Sequence, residues 1–227
     1  MKIKLSLSAL LASLLIVSPA IATPTTEPVK VGDTIYFQFG DNGKNGGGEF
    51  NVYSQNGTFL YQSFCLEYNE HISLNKNYVI QDISTAAKSG GLGGATNGED
   101  PISAYTAYLY HQFYWGTLED YVYSGTDSAS EIAASQSAKA LQEAIWFFED
   151  EYALGINKDF SNVFTEMAKE AVDSDKSWSG LGDVRVVNLG TAQDQLTVAP
   201  VPEPATMLLF GTGLVGLAGI ARRRTKR

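Results

Sequence analysis

Both ends of this 227-residue chain are apolar, so any water-soluble fold must come from the stretch between them. Residues 1–22 read MKIKLSLSALLASLLIVSPAIA. Lys2 and Lys4 precede an apolar run that closes on Ala20-Ile21-Ala22, the three-part layout of a secretory signal peptide with cleavage expected after Ala22. At the other end, residues 205–221 carry no charge, and Arg222, Arg223, Arg224, Lys226 and Arg227 crowd behind them. Since about 20 apolar residues span a bilayer, this run is short but sufficient for a transmembrane helix. The positive-inside bias keeps its basic tail cytoplasmic and leaves residues 23–199 outside, a length suited to one domain.

Charge narrows the partners of that middle region. It holds nine of the 16 basic residues and 24 of the 25 acidic ones, for a formal charge of −15. Such a surface repels nucleic acid and anionic lipid, and suits solubility outside the cell or contact with neutral glycans and cations.

The triplet Pro202-Glu203-Pro204, followed by an apolar run and an Arg-rich end, resembles the PEP-CTERM sorting signal of Gram-negative bacteria. The resemblance covers residues 200–227. It implies an exosortase-type membrane enzyme that recognises Pro202, Glu203 and Pro204 and removes the helix. The membrane then holds the chain only before processing, and its destination is the cell surface or extracellular matrix, in the company of exopolysaccharide and biofilm components.

Within residues 23–199 the pattern changes from strand to helix and back. TIYFQF, EFNVYS and TFLYQSFCLE carry the aromatic and β-branched residues of half-buried strands, with turns at DNGKNGGGE and QNG. NYVIQDIS predicts one further short strand, and KSGGLGGATNGEDP a Gly-rich loop. Ser103 is placed to cap a helix that Gly116 ends, and a longer helix is expected over about Ser128 to Glu151, with Ile132, Leu141, Ile145 and Phe148 on its apolar side. A third helix in DFSNVFTEMAKEAVD would carry Val163, Met167 and Ala171 on one apolar side, and VRVVNLG and QLTVA return to strand. The order implies one α+β domain with a mostly antiparallel sheet and about three helices.

Few residues offer chemistry. DNGKNGGGE fails as a calcium loop, because Gly43 and Val52 stand where oxygen ligands are needed, and it reads as a solvated turn. His71 and His111 have no second ligand at zinc spacing. A metal or cofactor is therefore not expected, and His111 belongs to the packed aromatic block Tyr105, Tyr108, Tyr110, Phe113, Tyr114 and Trp115. Any exposed ring of that block is suited to stacking on sugars. The acidic run Glu149, Asp150 and Glu151 reads as a solvated helix end or a weak cation site.

Cys65 is the single cysteine of an exported chain, where disulfides are the usual fate of thiols. A Cys65–His71 nucleophile pair is conceivable, but no hydrolase signature surrounds it. Phe64-Cys65 near a strand end, with Leu141-Gln142-Glu143-Ala144-Ile145-Trp146 on a later helix, resembles the thioester domains of bacterial surface adhesins. That resemblance implies an internal thioester between Cys65 and Gln142, shielded by Phe64, Trp146 and Phe147, which a surface amine or hydroxyl would open to form a permanent bond. The protein would then be an adhesin and not an enzyme. The alternative is a passive structural component of the exopolysaccharide matrix, with Cys65 as a small buried hydrophobe.

Overall fold

A computed structural model describes residues 29–199, apart from 44–47, 89, 124–126, 154 and 191. The signal segment, the apolar run 205–221 and Pro202, Glu203 and Pro204 lie outside the described residues. Among the described residues no helix is long and apolar enough to cross a membrane.

Alternation builds the first sheet. In β1 (Thr34–Phe39) Ile35 and Phe37 are buried while Tyr36 and Gln38 face the other way, the period of two that a pleated strand imposes. β1 pairs antiparallel with β2 (Phe50–Ser54) on one side and β4 (Tyr78–Val79) on the other, and β2 continues to β3 (Phe59–Ser63), giving the order β3-β2-β1-β4. Tyr36 and Tyr53, directly opposite, stack with centroids 5.2 Å apart on the outer face.

The single strand expected in NYVIQDIS is two strands in two sheets. β5 (Asp82–Ser84) pairs with β8 (Val184–Asn188), which pairs with β9 (Gln195–Val198). The chain changes sheets at Ile80 and Gln81, where the Ile80 N–H donates to the Asp33 carbonyl and the Gln81 N–H to the Asn188 carbonyl. The Gly-rich segment is also more ordered than its composition implies: β6 (Ala86–Lys88) and β7 (Glu99–Pro101) pair across it. Every pairing between these strands is antiparallel.

Three α-helices lie among the described residues. α1 (Ala104–Tyr114) starts where the Ser103 hydroxyl accepts from the Thr106 N–H, as expected, and Gly116, at φ +71°, follows its end. α2 (Ser128–Phe148) begins with a capping box on Asp127 and stops at Phe148, three residues before the expected Glu151. α3 (Val163–Lys169) is capped by Asn162 and runs into a π-helical turn, Glu170–Ser174. Two apolar expectations fail. Ile132 and Val163 are exposed, because α2 buries Ala134, Ala138, Leu141, Gln142, Ala144, Ile145 and Trp146, and α3 buries Phe164, Thr165 and Ala168.

The fold is the expected α+β class, but with two cores. One gathers α1, α2 and α3 with β8 and β9 around Tyr110, Phe113, Leu141, Ile145 and Leu196. The other backs the first sheet with Phe37, Val52, Tyr61 and Ile80. Phe64 and Leu66 belong to the first core and Cys65 to the second, as alternating side chains of an extended segment should. On α2, Leu141 and Ile145 face the first core and Trp146 the second. Cys65 and Gln142 meet at the seam.

Candidate functional site

The helix that fills the seam brings a polar side chain with it. Gln142 is fully buried, and a buried carboxamide without partners costs about 1–3 kcal/mol. It finds them on the backbone of Cys65. The Cys65 N–H donates to Gln142 Oε1 at 3.0 Å, and Gln142 Nε2 donates to the Cys65 carbonyl at 2.9 Å, across 77 positions of sequence. The carboxamide thus occupies the place of a neighbouring strand. On the other flank Cys65 forms a β-bridge to Gln195, supported by Leu196 N–H to the Phe64 carbonyl at 3.2 Å and Leu66 N–H to the Asp194 carbonyl at 3.3 Å.

The sulfur has its own surroundings. Cys65 is buried, its thiol donates to Gln193 Oε1 at 2.9 Å, and Gln195 Nε2 lies 3.5 Å away as a donor. The Gly48 backbone amide also faces the sulfur. Burial pushes the thiol up to about 12, so Cys65 is a neutral S–H at any physiological pH. Gln193 is held in turn by a short hydrogen bond from its Nε2 to the Glu67 carbonyl.

Trp146 is buried one turn beyond Gln142 and packs edge-on against Tyr68, centroids 5.0 Å apart. Both line a cavity of about 630 Å³ that reaches Cys65 and Gln193, with Phe39, Phe50 and Leu74 among its apolar walls and Asn69 and His71 among its polar ones. Phe64 sits behind the site, edge-on to Phe113 at 4.9 Å. Phe147 packs against the core that holds Cys65 and Trp146, and toward Phe148 and Phe160, but is not among the cavity's lining residues. Three of the buried polar atoms without a hydrogen-bond partner among the described residues belong to this neighbourhood: Glu67 Oε1, Trp146 Nε1 and Gln195 Oε1.

Several expectations need correction here. The described ends of DNGKNGGGE are not solvated: Asn42 and Glu49 are buried, and Gly48 rests on α2. A Cβ at Gly48 would stand 2.9 Å from Gln142 Cβ and 3.0 Å from the Ala138 carbonyl oxygen, and the residue has φ +86°. Glu49 anchors this loop, accepting from Gln62 Nε2 at 2.8 Å, Asn42 Nδ2 at 3.0 Å and the Tyr121 hydroxyl at 2.5 Å.

The acidic run at the end of α2 is not a solvated face either. Glu149 Oε1 accepts from Ser103 N–H at 3.1 Å, at the start of α1, where a carboxylate complements the helix dipole. Glu151 accepts from Tyr68 N–H at 2.7 Å and Gly93 N–H at 2.8 Å, fastening the glycine loop and the segment after Cys65. Only Asp150 is exposed. Among the described residues no cluster of His, Cys, Asp and Glu could hold a metal ion. His111 is half-buried and pairs through Nδ1 with Asp183 Oδ1 at 2.6 Å, away from the cysteine.

Residues 200–224 match the PEP-CTERM protein-sorting motif. No curated protein and no solved structure matches the chain. The motif supports an exosortase substrate that is exported and anchored in the membrane before processing.

Proposed function

We propose that this exosortase-sorted protein is a covalent adhesin, armed by an internal thioester between Cys65 and Gln142. One observation carries the reading: the buried Gln142 carboxamide is docked by two hydrogen bonds on the backbone of the chain's single cysteine. In the forming step Sγ adds to Gln142 Cδ, the C–N bond breaks, and the thiol proton departs on ammonia. The Cys65 N–H, already 3.0 Å from Oε1, is a backbone donor aimed at the oxygen that becomes negative in the tetrahedral intermediate. Burial favours a product with no ionisable thiol, and apolar walls slow hydrolysis of the bond.

In the capturing step an amine or hydroxyl of a surface or matrix target attacks the acyl carbon. The new bond to Gln142 forms, the S–C bond breaks, and the proton of the nucleophile ends on Cys65. The reaction runs once per molecule, so the protein is consumed and is not an enzyme.

The test is intact mass. Protein recovered from the producing cells should be lighter than its processed sequence by one ammonia, and Cys65→Ala and Gln142→Ala should each show full calculated mass. Methylamine should add to the wild type alone and release one thiol that maleimide labels. Wild-type protein at full mass, with no methylamine adduct, would leave the passive matrix component as the better reading.

A further inference from the structure

The hydrogen bonds of the sulfur are with Gln193 and Gln195, while Gln142 bonds to the Cys65 backbone. The Cys65 thiol donates to Gln193 Oε1 at 2.9 Å, and the Gln193 amide cannot turn over, because its Nε2 is committed to the Glu67 carbonyl. Gln193 is 4 % exposed, yet it lines the 630 Å³ cavity beside Cys65, whereas Gln142 does not. The cavity is therefore the side from which a small molecule meets the sulfur.

A thioester sulfur carries no hydrogen. Once the bond proposed above exists, on which this inference rests, Gln193 Oε1 has lost its donor while remaining pinned, buried and turned toward the reacting atoms. A buried acceptor left without a partner is costly, and a nucleophile bearing N–H restores the pair.

We propose that Gln193 positions the attacking nucleophile, accepting one N–H of a primary amine through Oε1 and leaving the amine lone pair free for the Gln142 acyl carbon. Phe39, Phe50, Leu74 and Trp146 give the amine's alkyl stem an apolar wall that water cannot use. As the N–C bond forms and the S–C bond breaks, the amine proton passes to sulfur, and the Sγ–H to Oε1 hydrogen bond is restored. One oxygen holds the thiol proton before the thioester forms, the amine proton while it is intact, and the thiol proton again after capture.

The experiment compares two nucleophiles on wild type and Gln193→Met, which keeps side-chain length and removes the acceptor. Both proteins should be lighter by one ammonia. Methylamine addition should slow about tenfold or more in the variant, the rate equivalent of one hydrogen bond. Exchange with ethanethiolate, which has no hydrogen to donate, should change less than about twofold on the same reasoning. Equal slowing with both nucleophiles would make Gln193 merely structural, and no slowing with methylamine would remove it from the reaction. If the variant fails to fold or to form the bond, wild type decides. Its preference for methylamine over ethanethiolate should exceed that of a free alkyl thioester by about tenfold, and an equal preference overturns the proposal. Wild type at full mass instead removes the thioester itself, an outcome separate from either rate result.

Discussion

Glu67 shows how much of this site depends on a few buried atoms. Its carboxyl sits two residues from Cys65, accepts from the Asp194 N–H at 3.0 Å through Oε2, and has the carboxyls of Asp194 and Glu70 for neighbours. Burial first, then those charges, push it up to about 9 from an ordinary 4.5. The folded chain therefore holds this proton more tightly than the unfolded one. That contribution is complete below about pH 4.5 and is lost as pH rises toward 9. Glu149, pushed up to about 7 by burial, acts in the same direction. Wild-type stability should fall between pH 5 and pH 8, and Glu67→Gln should flatten that slope and gain roughly 1–3 kcal/mol at pH 8. Denaturant unfolding at the two values checks it; a variant with the wild-type slope would show that Glu67 is already ionised. At this scale Cys65, Gln142 and Trp146 were legible because they sit in short motifs of distinct residue types. Gln193 and Gln195 were not. Two glutamines in TAQDQL carry no pattern until the segment that leads into β9 is known to lie against Cys65.

At the scale of elements, the described ends of the loop between β1 and β2 are the part most misjudged by composition. Gly-rich polar segments are usually solvated, yet here Glu49 is buried with its three donors, and Gly48 becomes a spacer against α2. Gly48→Ala should cost about 2–4 kcal/mol, from overpacking against Gln142 and the Ala138 carbonyl plus a left-handed backbone that L-residues resist. Thermal or urea unfolding reads the loss; a cost under about 0.5 kcal/mol would mean the loop swings away freely. Helix starts were readable from Ser103, whose hydroxyl is a local signal. The end of α2 was not, because Glu149 and Glu151 serve contacts with Ser103, Tyr68 and Gly93 that are remote in sequence. The split of NYVIQDIS between two sheets has the same cause: local propensity marks a strand, and only distant partners decide which sheet it joins.

At the scale of the molecule, the sorting motif at residues 200–224 supports export and exosortase processing. Mature protein from producing cells should end near Pro204, and peptide mapping should find nothing from Arg222 to Arg227. Recovery of that basic peptide from the mature pool would indicate a permanent anchor instead.

The β-bridge between Cys65 and Gln195 also sets a reach. Pro204 lies nine positions beyond Gln195, so the two are at most about 30 Å apart. Whatever holds the processed end therefore keeps the sulfur within that radius, unlike a stalked adhesin that projects its tip outward. If capture runs as proposed, a sulfur kept that close to the held end favours single polymer strands over bulky folded proteins.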